Sequence, residues 1–295
     1  MHDPSPTHAP CALCALRSRR LFTGLLGAAV LTGPALAQDG VRGDVGRTSR
    51  VAGLVPAEQM EAAAAQQYQQ MLREAAAKKA LAGTEHPQMV RLRAIADRII
   101  PHAKPWNPRA TQWRWEVNLL GSQEINAFCM PGGKIAFYYG ILQKLQLSDD
   151  EVATIMGHET AHALREHARE RMGKTVVTRG VIEIGAAIFG LGNVGRGLAD
   201  IGGQLLTLQF SRDDETEADI VGMDLAARAG YDPAAGVTLW QKMMAASKGA
   251  PPQFLSTHPA GATRIRDIQA KLPKVQPLYQ QAEKPARRYG PPAAA

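Results

Sequence analysis

The sequence of 295 residues predicts an α+β fold, predominantly helical, with a small β-sheet or hairpin. Most of the chain is made of good helix formers with apolar residues spaced three and four apart. A short β-prone region around 113–139 is interrupted by Pro131-Gly132-Gly133, a turn signal. Ser148 with Glu151 three residues on forms a capping box, a strong helix start. With 45% hydrophobic residues the chain can bury a sizeable core, and 21% charged residues with a formal net charge of +7 make it basic without the charge density of a nucleic-acid coat. The longest apolar candidate for a span, Val176 to Leu191, is broken by Arg179 and Glu183, which excludes a multi-spanning membrane protein.

Taken in order, residues 1–37 read as a signal peptide. Arg17, Arg19 and Arg20 precede an apolar stretch from Leu21 to Leu31, and Ala35-Leu36-Ala37 offers a small-x-small cleavage site after Ala37. Ser18-Arg19-Arg20-Leu21-Phe22 resembles a twin-arginine export motif, with an ordinary secretory signal as the alternative, and either route implies a periplasmic location. Cys11 and Cys14 leave with this segment, so Cys129 is the sole remaining cysteine and no internal disulfide is expected. Residues 38–55 have no period and read as a leader. Helices are expected over 56–82 and 89–100, strands at 113–117 and 135–139, and a hairpin turn between Phe128 and Ile135. Further helices are expected over 149–172, 213–229, 233–246 and 260–271. Residues 273–295, rich in proline and ending in alanines, read as a disordered tail. Trp113, Trp115, Val152 and Met156 read as core.

The helix opened by Ser148 carries His158-Glu159-Thr160-Ala161-His162, an H-E-x-x-H. Residues at i and i+4 stack on one face about 5 to 6 Å apart, so His158 and His162 can both reach one ion at the roughly 2.0 to 2.1 Å that zinc prefers. Glu159, turned about 100° from His158, flanks that ion and stands where a general base must. A catalytic zinc needs a third protein ligand. The metzincin spacing would place Gly at 165 and His at 168, where this chain has Arg165 and Ala168. His167, five residues after His162, reads as an exposed or outer-layer histidine. Glu215 and Asp219, at i and i+4 on a later helix, are the remaining candidates, one to ligate and one to hydrogen-bond a ligand imidazole from behind; Glu217 points elsewhere. An acidic solvated helix start is the bland reading of the same run.

Three segments carry a resemblance. Met156-Gly-His-Glu-Thr-Ala-His-Ala-Leu164, Ser211-Arg-Asp-Asp-Glu-Thr-Glu-Ala-Asp219, and Ser256-Thr-His-Pro259 followed by Arg264-Ile265 resemble the signatures of the HtpX-like zinc metallopeptidases, and the chain is similar to their soluble periplasmic BepA-like branch. Asn126-Ala-Phe-Cys-Met-Pro-Gly-Gly-Lys134 matches the strand and turn before the active helix. The resemblance implies a zincin-like metallopeptidase domain over 56–272, with one Zn2+ per chain on His158, His162 and Glu215. It further implies Glu159 as the base, Asp219 behind a ligand histidine, and His258 and Arg264 lining the cleft. Longer members carry a helical-repeat domain beyond the position of residue 273, and a chain without it is expected here.

The implied chemistry is peptide hydrolysis with no Ser or Cys nucleophile. The strand at Asn126, Ala127 and Phe128 is expected to pair with an extended substrate, which favours unfolded or misassembled cell-envelope polypeptides in quality control and no nucleic acid; a plain hairpin is the alternative. His258 is open to three readings: a fourth zinc ligand acting as a latch, a donor to the transition-state oxyanion, or a turn cap. A zinc-bound chaperone with little turnover is the second function class. Without residues 1–37 the formal charge is +5, which leaves room for peripheral contact with a membrane or outer-membrane assembly machinery, and a basic surface scaffold is a third class. Gly190 to Gly195 matches G-x-G-x-x-G but lacks the β-α-β context of a nucleotide site. The stretch 174–203 reads as a mobile flap or as two core helices joined by a glycine loop.

Overall fold

The structure, a computed structural model, describes residues 39–179, 201, 204–247, 252–258 and 263–294. The signal and twin-arginine readings, the glycine-rich motif, Pro259 and most of 174–203 lie outside the described residues. Helices α1 (Ala57–Ala77) and α2 (Pro87–Ile99) lead into strands β1 (Glu116–Leu120), β2 (Ala127–Met130) and β3 (Lys134–Tyr138). Then follow α3 (Tyr139–Lys144), α4 (Asp149–Leu164), α5 (His167–Arg179), α6 (Arg212–Arg228), α7 (Ala235–Ala246), α8 (Gln253–Thr257) and α9 (Arg264–Gln281). Among the described residues no helix is long and apolar enough to cross a membrane.

The three strands form one sheet in the order β1-β3-β2, with β1 parallel and β2 antiparallel to β3. The expected hairpin is therefore β2 and β3, closed where Gly132 and Gly133 take φ of 82° and 75°. β1 starts three residues later than the alternation at Trp113 suggests. Both indoles are tied down ahead of the strand, Trp113 donating to Glu61 of α1 and Trp115 to the Ala110 carbonyl, so the tryptophans anchor the approach to the strand and do not belong to its ladder. β2 is the outer strand on its side, which leaves one edge without a strand partner among the described residues.

Helix α4 is the centre of the molecule, buried along nearly its whole length. Its capping box forms as expected, with Glu151 N–H on Ser148 Oγ at 3.3 Å and Ser148 N–H on Glu151 Oε2 at 2.7 Å. Arg91 of α2, fully buried, donates to Asp149 at 2.7 Å and to the Leu147 carbonyl at 2.6 Å, fixing the entry to this helix. A second capping box, Ser211 with Asp214, opens α6. The two capped helices touch backbone to backbone: a Cβ on Gly157 would lie 2.6 Å from the Gly222 carbonyl oxygen, and one on Gly222 would lie 2.6 Å from the His158 nitrogen. Only glycine at both positions permits so close a crossing.

Three expectations are corrected. The helix expected to run to Met172 stops at Leu164, because Glu166 takes the left-handed conformation at φ 60°, and a separate helix, α5, begins at His167. The segment 38–55 is not a detached leader: Val41 and Val55 are fully buried, Asp44 pairs with Lys271 and Lys274, and residues 50–54 form a 3-10 turn against α5. Scattered contacts of this kind leave no periodic signature. The tail is not disordered either. Helix α9 continues through Pro273 and Pro277 because Val275 and Leu278 are buried on its inner face. Beyond it, Tyr289 and Gly290 donate backbone N–H groups to Asp149, and Arg288 pairs with Asp150.

Candidate metal centre

His158 and His162 stand one turn apart on α4 and turn their Nε2 atoms inward, 3.1 Å from each other. From α6, Glu215 brings Oε1 to 3.4 Å from His162 Nε2 and Oε2 to 3.6 Å from His158 Nε2. His258, at the end of α8, adds Nδ1 at 3.4 Å from His158 Nε2 and 2.9 Å from Glu215 Oε1. All four residues are buried and their ligand atoms lie within 4.8 Å of one another. Bonds of 2.0 to 2.1 Å in a tetrahedral arrangement separate ligand atoms by about 3.3 to 3.4 Å. The observed separations bracket that value, so this donor set fits zinc.

The second nitrogen of each α4 histidine is also held. His158 Nδ1 meets Asp219 Oδ1 at 3.0 Å, as the i, i+4 spacing from Glu215 predicts. Arg264 donates to both Asp219 oxygens at 2.5 and 2.8 Å and to Glu215 Oε2 at 2.6 Å, while its guanidinium lies 3.6 Å over the Trp240 ring. Arg264 is thus behind the carboxylates, and the expectation that it lines the cleft with His258 is corrected for Arg264 alone. It arrives from α9 and also brings Nη2 to 3.3 Å from His158 Nδ1, where the two buried carboxylates require a buried counter-charge.

Charge follows this packing. Burial alone would raise the Glu215 carboxyl, but bonds from His162 and His258 outweigh it and hold Glu215 well below the usual carboxylate range. Asp219 is likewise lowered against its burial, by Arg264 and His158. Burial pushes His162 well down, so it is a neutral imidazole with a lone pair to offer. Glu159 moves the other way. It is 2% exposed, burial raises its carboxyl, and its Oε1 has no hydrogen-bond partner among the described residues, with His258 Nε2 at 3.5 Å. An orphaned, proton-accepting oxygen beside a convergent ligand set is the arrangement a general base needs.

A groove leads to this centre. It is lined by Asn126 and the residues of β2, by the apolar side chains of Leu205, Leu206, Leu208 and Phe210, and by Glu159, His162 and His258 of the centre itself. The segment expected to meet substrate, Asn126, Ala127 and Phe128, therefore runs directly beside the ligand histidines.

Two contributions escape the sequence reading. Phe210 stacks on His162 with centroids 3.9 Å apart and Phe254 on His258 at 4.5 Å; a lone aromatic before a helix cap gives no motif. His167 is outer-layer as expected, and Glu217 does point away from the ligand group, but the two meet, Nε2 to Oε2 at 2.9 Å. That contact depends on the chain break at Glu166, which the continuous-helix reading does not contain.

Helix-borne histidine ligands, a carboxylate from a second helix and a buried base define a zinc metallopeptidase centre of the H-E-x-x-H plus Glu kind. The chain belongs to peptidase family M48, whose model matches residues 88–272. It is 38% identical over 166 residues to the mitochondrial metalloendopeptidase OMA1 of Schizosaccharomyces pombe, covering 55% of this chain and 48% of that protein. It is 30% identical over 153 residues to the metalloprotease LoiP of Escherichia coli, covering 51% and 60%. With the β-barrel assembly-enhancing protease of the same organism the identity is 24% over 201 residues, covering 65% and 40%. The matches thus span about half the length of these relatives. The expectation of a periplasmic location does not stand, since the OMA1 relatives from Schizosaccharomyces pombe, Arabidopsis thaliana and Saccharomyces cerevisiae are mitochondrial by name. Arginines ahead of an apolar stretch, as at Arg17, Arg19 and Arg20, do not by themselves select a compartment.

Proposed function

We propose that this chain is a zinc-dependent metalloendopeptidase that cuts unfolded or flexible polypeptide in protein quality control. The observation that carries the reading is Glu159 Oε1, buried and without a hydrogen-bond partner among the described residues, beside the convergent His158, His162 and Glu215 atoms in a groove that β2 also lines. An extended peptide added to β2 gains main-chain hydrogen bonds whatever its sequence, and folded proteins cannot present such a strand. The neutral walls of the groove, Leu205, Leu206, Leu208 and Phe210, suit apolar segments that folded proteins bury.

His158, His162 and Glu215 would hold the ion, with Asp219 and Arg264 fixing the orientation of His158 and Glu215. The chemistry a zinc ion would supply there is polarisation of the scissile carbonyl and a water whose pKa falls toward about 7. Glu159 accepts the proton of the attacking water on Oε1 and passes it to the leaving amine, a task its burial-raised carboxyl suits. His258 Nδ1 lies at ligand distance from the same atoms, so His258 would restrain the centre as a latch that substrate must move aside. That same closure favours the second reading, a client-holding protein with little turnover.

Hydrolysis of a flexible, unstructured polypeptide by the full chain tests the proposal. Cleavage is expected, with loss on chelation, return on adding zinc, and no cleavage by Glu159→Gln. Client binding without zinc-dependent cleavage would favour the holding protein instead.

A further inference from the structure

His162 and His158 are supported differently. Behind His158 stands a carboxylate, Asp219. Behind His162 stands another imidazole, with His162 Nδ1 2.9 Å from His167 Nδ1. His167 Nε2 in turn is 2.9 Å from Glu217 Oε2, and Glu217 Oε1 accepts from Arg165 at 2.7 Å. Arg165 is anchored at its other end on the Gly46 carbonyl. His167 is 1% exposed and Arg165 8%, so this row is sealed from water along most of its length.

With His162 as a metal ligand, one set of proton positions satisfies every contact along the row. His162 Nε2 faces the ligand group, so it must offer a lone pair, and its single proton resides on Nδ1. That N–H needs an acceptor, and His167 Nδ1 is the atom in reach. His167 can accept there only if its own proton is on Nε2, where Glu217 takes it. Glu217 can do so as a carboxylate, and the Arg165 guanidinium keeps it one. If His167 were turned to the other tautomer, two N–H groups would face each other at 2.9 Å. The row therefore transmits one instruction from Arg165 to His162: lone pair inward, ring fixed.

We propose that His167, oriented by Glu217 and Arg165, is the positioning residue that sets the tautomer and ring orientation of the zinc ligand His162. This rests on the reading of His158, His162 and Glu215 as zinc ligands. His167 touches neither substrate nor ion, and it acts through His162 alone.

Two substitutions separate this role from mere space filling. Asn places its amide where His carries Nδ1, so His167→Asn keeps an acceptor for His162 and gives up Glu217. Gln places its amide near the Nε2 position, so His167→Gln keeps Glu217 and gives up His162. The experiment measures zinc affinity of the full chain by chelator competition, with melting of the metal-free proteins alongside and the visible spectrum of the cobalt(II)-substituted forms. His167→Asn is expected to bind zinc within about threefold of the parent and to keep its cobalt spectrum, whereas His167→Gln binds about 10- to 100-fold more weakly. Equal losses in the two variants, or tighter binding by His167→Gln, overturn the proposal, because a residue that only anchors Glu217 or fills space predicts that order. Glu217→Gln, whose side chain is 25% exposed, supplies an independent check less prone to misfolding. It is expected to weaken zinc binding by about tenfold, and affinity within about threefold of the parent there overturns the row's outer link. A parent chain that binds no zinc at all would instead refute the metal centre itself.

Discussion

The α4–α6 crossing offers the sharpest test of how the fold makes the site. In Gly222→Ala the new methyl would sit 2.6 Å from the His158 nitrogen and 2.9 Å from the Gly157 carbonyl carbon, where ordinary contacts begin at 3.4 Å. Both neighbours are helix backbone, so no side chain can swing away and the helices must part by about 1 Å. Overpacking of this kind costs about 1 to 3 kcal/mol, which for a domain of this size lowers Tm by about 2 to 12 °C. The larger effect falls on the metal. Glu215 rides on α6 and the two histidines on α4, so their separations of 3.4 and 3.6 Å would open toward about 4.5 Å, beyond the roughly 3.3 to 3.4 Å edge a zinc tetrahedron spans. Zinc affinity should fall at least tenfold, and a 1 Å displacement of a reacting group costs on the order of 10²-fold in rate. Chelator competition, melting of the metal-free protein and peptide turnover read the three effects. Gly236→Ala is the control: its Cβ would meet side chains at 3.5 Å and beyond, and it should stabilise by about 0.5 to 1 kcal/mol. Parent-like Tm and zinc affinity for Gly222→Ala would refute the claim that this crossing sets the ligand geometry.

Other outcomes follow from the same geometry. Glu215→Ala removes the one carboxylate among the clustered ligand atoms and should lose most of the bound zinc, measured by metal analysis after gel filtration. Glu159→Gln should keep its zinc and lose about 10²- to 10⁴-fold in peptide cleavage, since an amide cannot take the proton. His258→Ala should raise kcat/KM on a flexible peptide while zinc stays bound; a fall of about 10²- to 10³-fold would make His258 an oxyanion donor and not a latch. Arg91→Met leaves Asp149 buried beside its helix start without its guanidinium, and chemical denaturation should show a loss of about 3 to 5 kcal/mol.

Much of the centre was legible because its logic is local. The i, i+4 spacing of His158 and His162 on a capped helix, and of Glu215 and Asp219 on a second one, is set by helix geometry, which a linear sequence displays directly. Glu159 follows from the same period. The helix-dominated fold and the β2–β3 hairpin were readable for the same reason, from short-range periodicity and turn chemistry. The chain break at Glu166 was not, because a non-glycine residue in a left-handed conformation carries no pattern, and tertiary contacts decide it.

The remainder depends on residues far apart in the chain. That Arg264 braces the carboxylates and His158, that His258 enters the ligand group, that Phe210 stacks on His162 and that His167 meets Glu217 are facts of packing across separations of 43 to 106 residues. The same holds for Val41 and for the tail at Tyr289, whose composition suggested free chain and whose contacts are with helices laid down elsewhere. Sequence by itself determined which residues could bind zinc and move a proton, because those capacities belong to side-chain type and helical period. The tertiary structure alone decided which second atoms hold them in place, because a glycine-on-glycine crossing must first bring α4 and α6 into contact before any of those partners can be within reach.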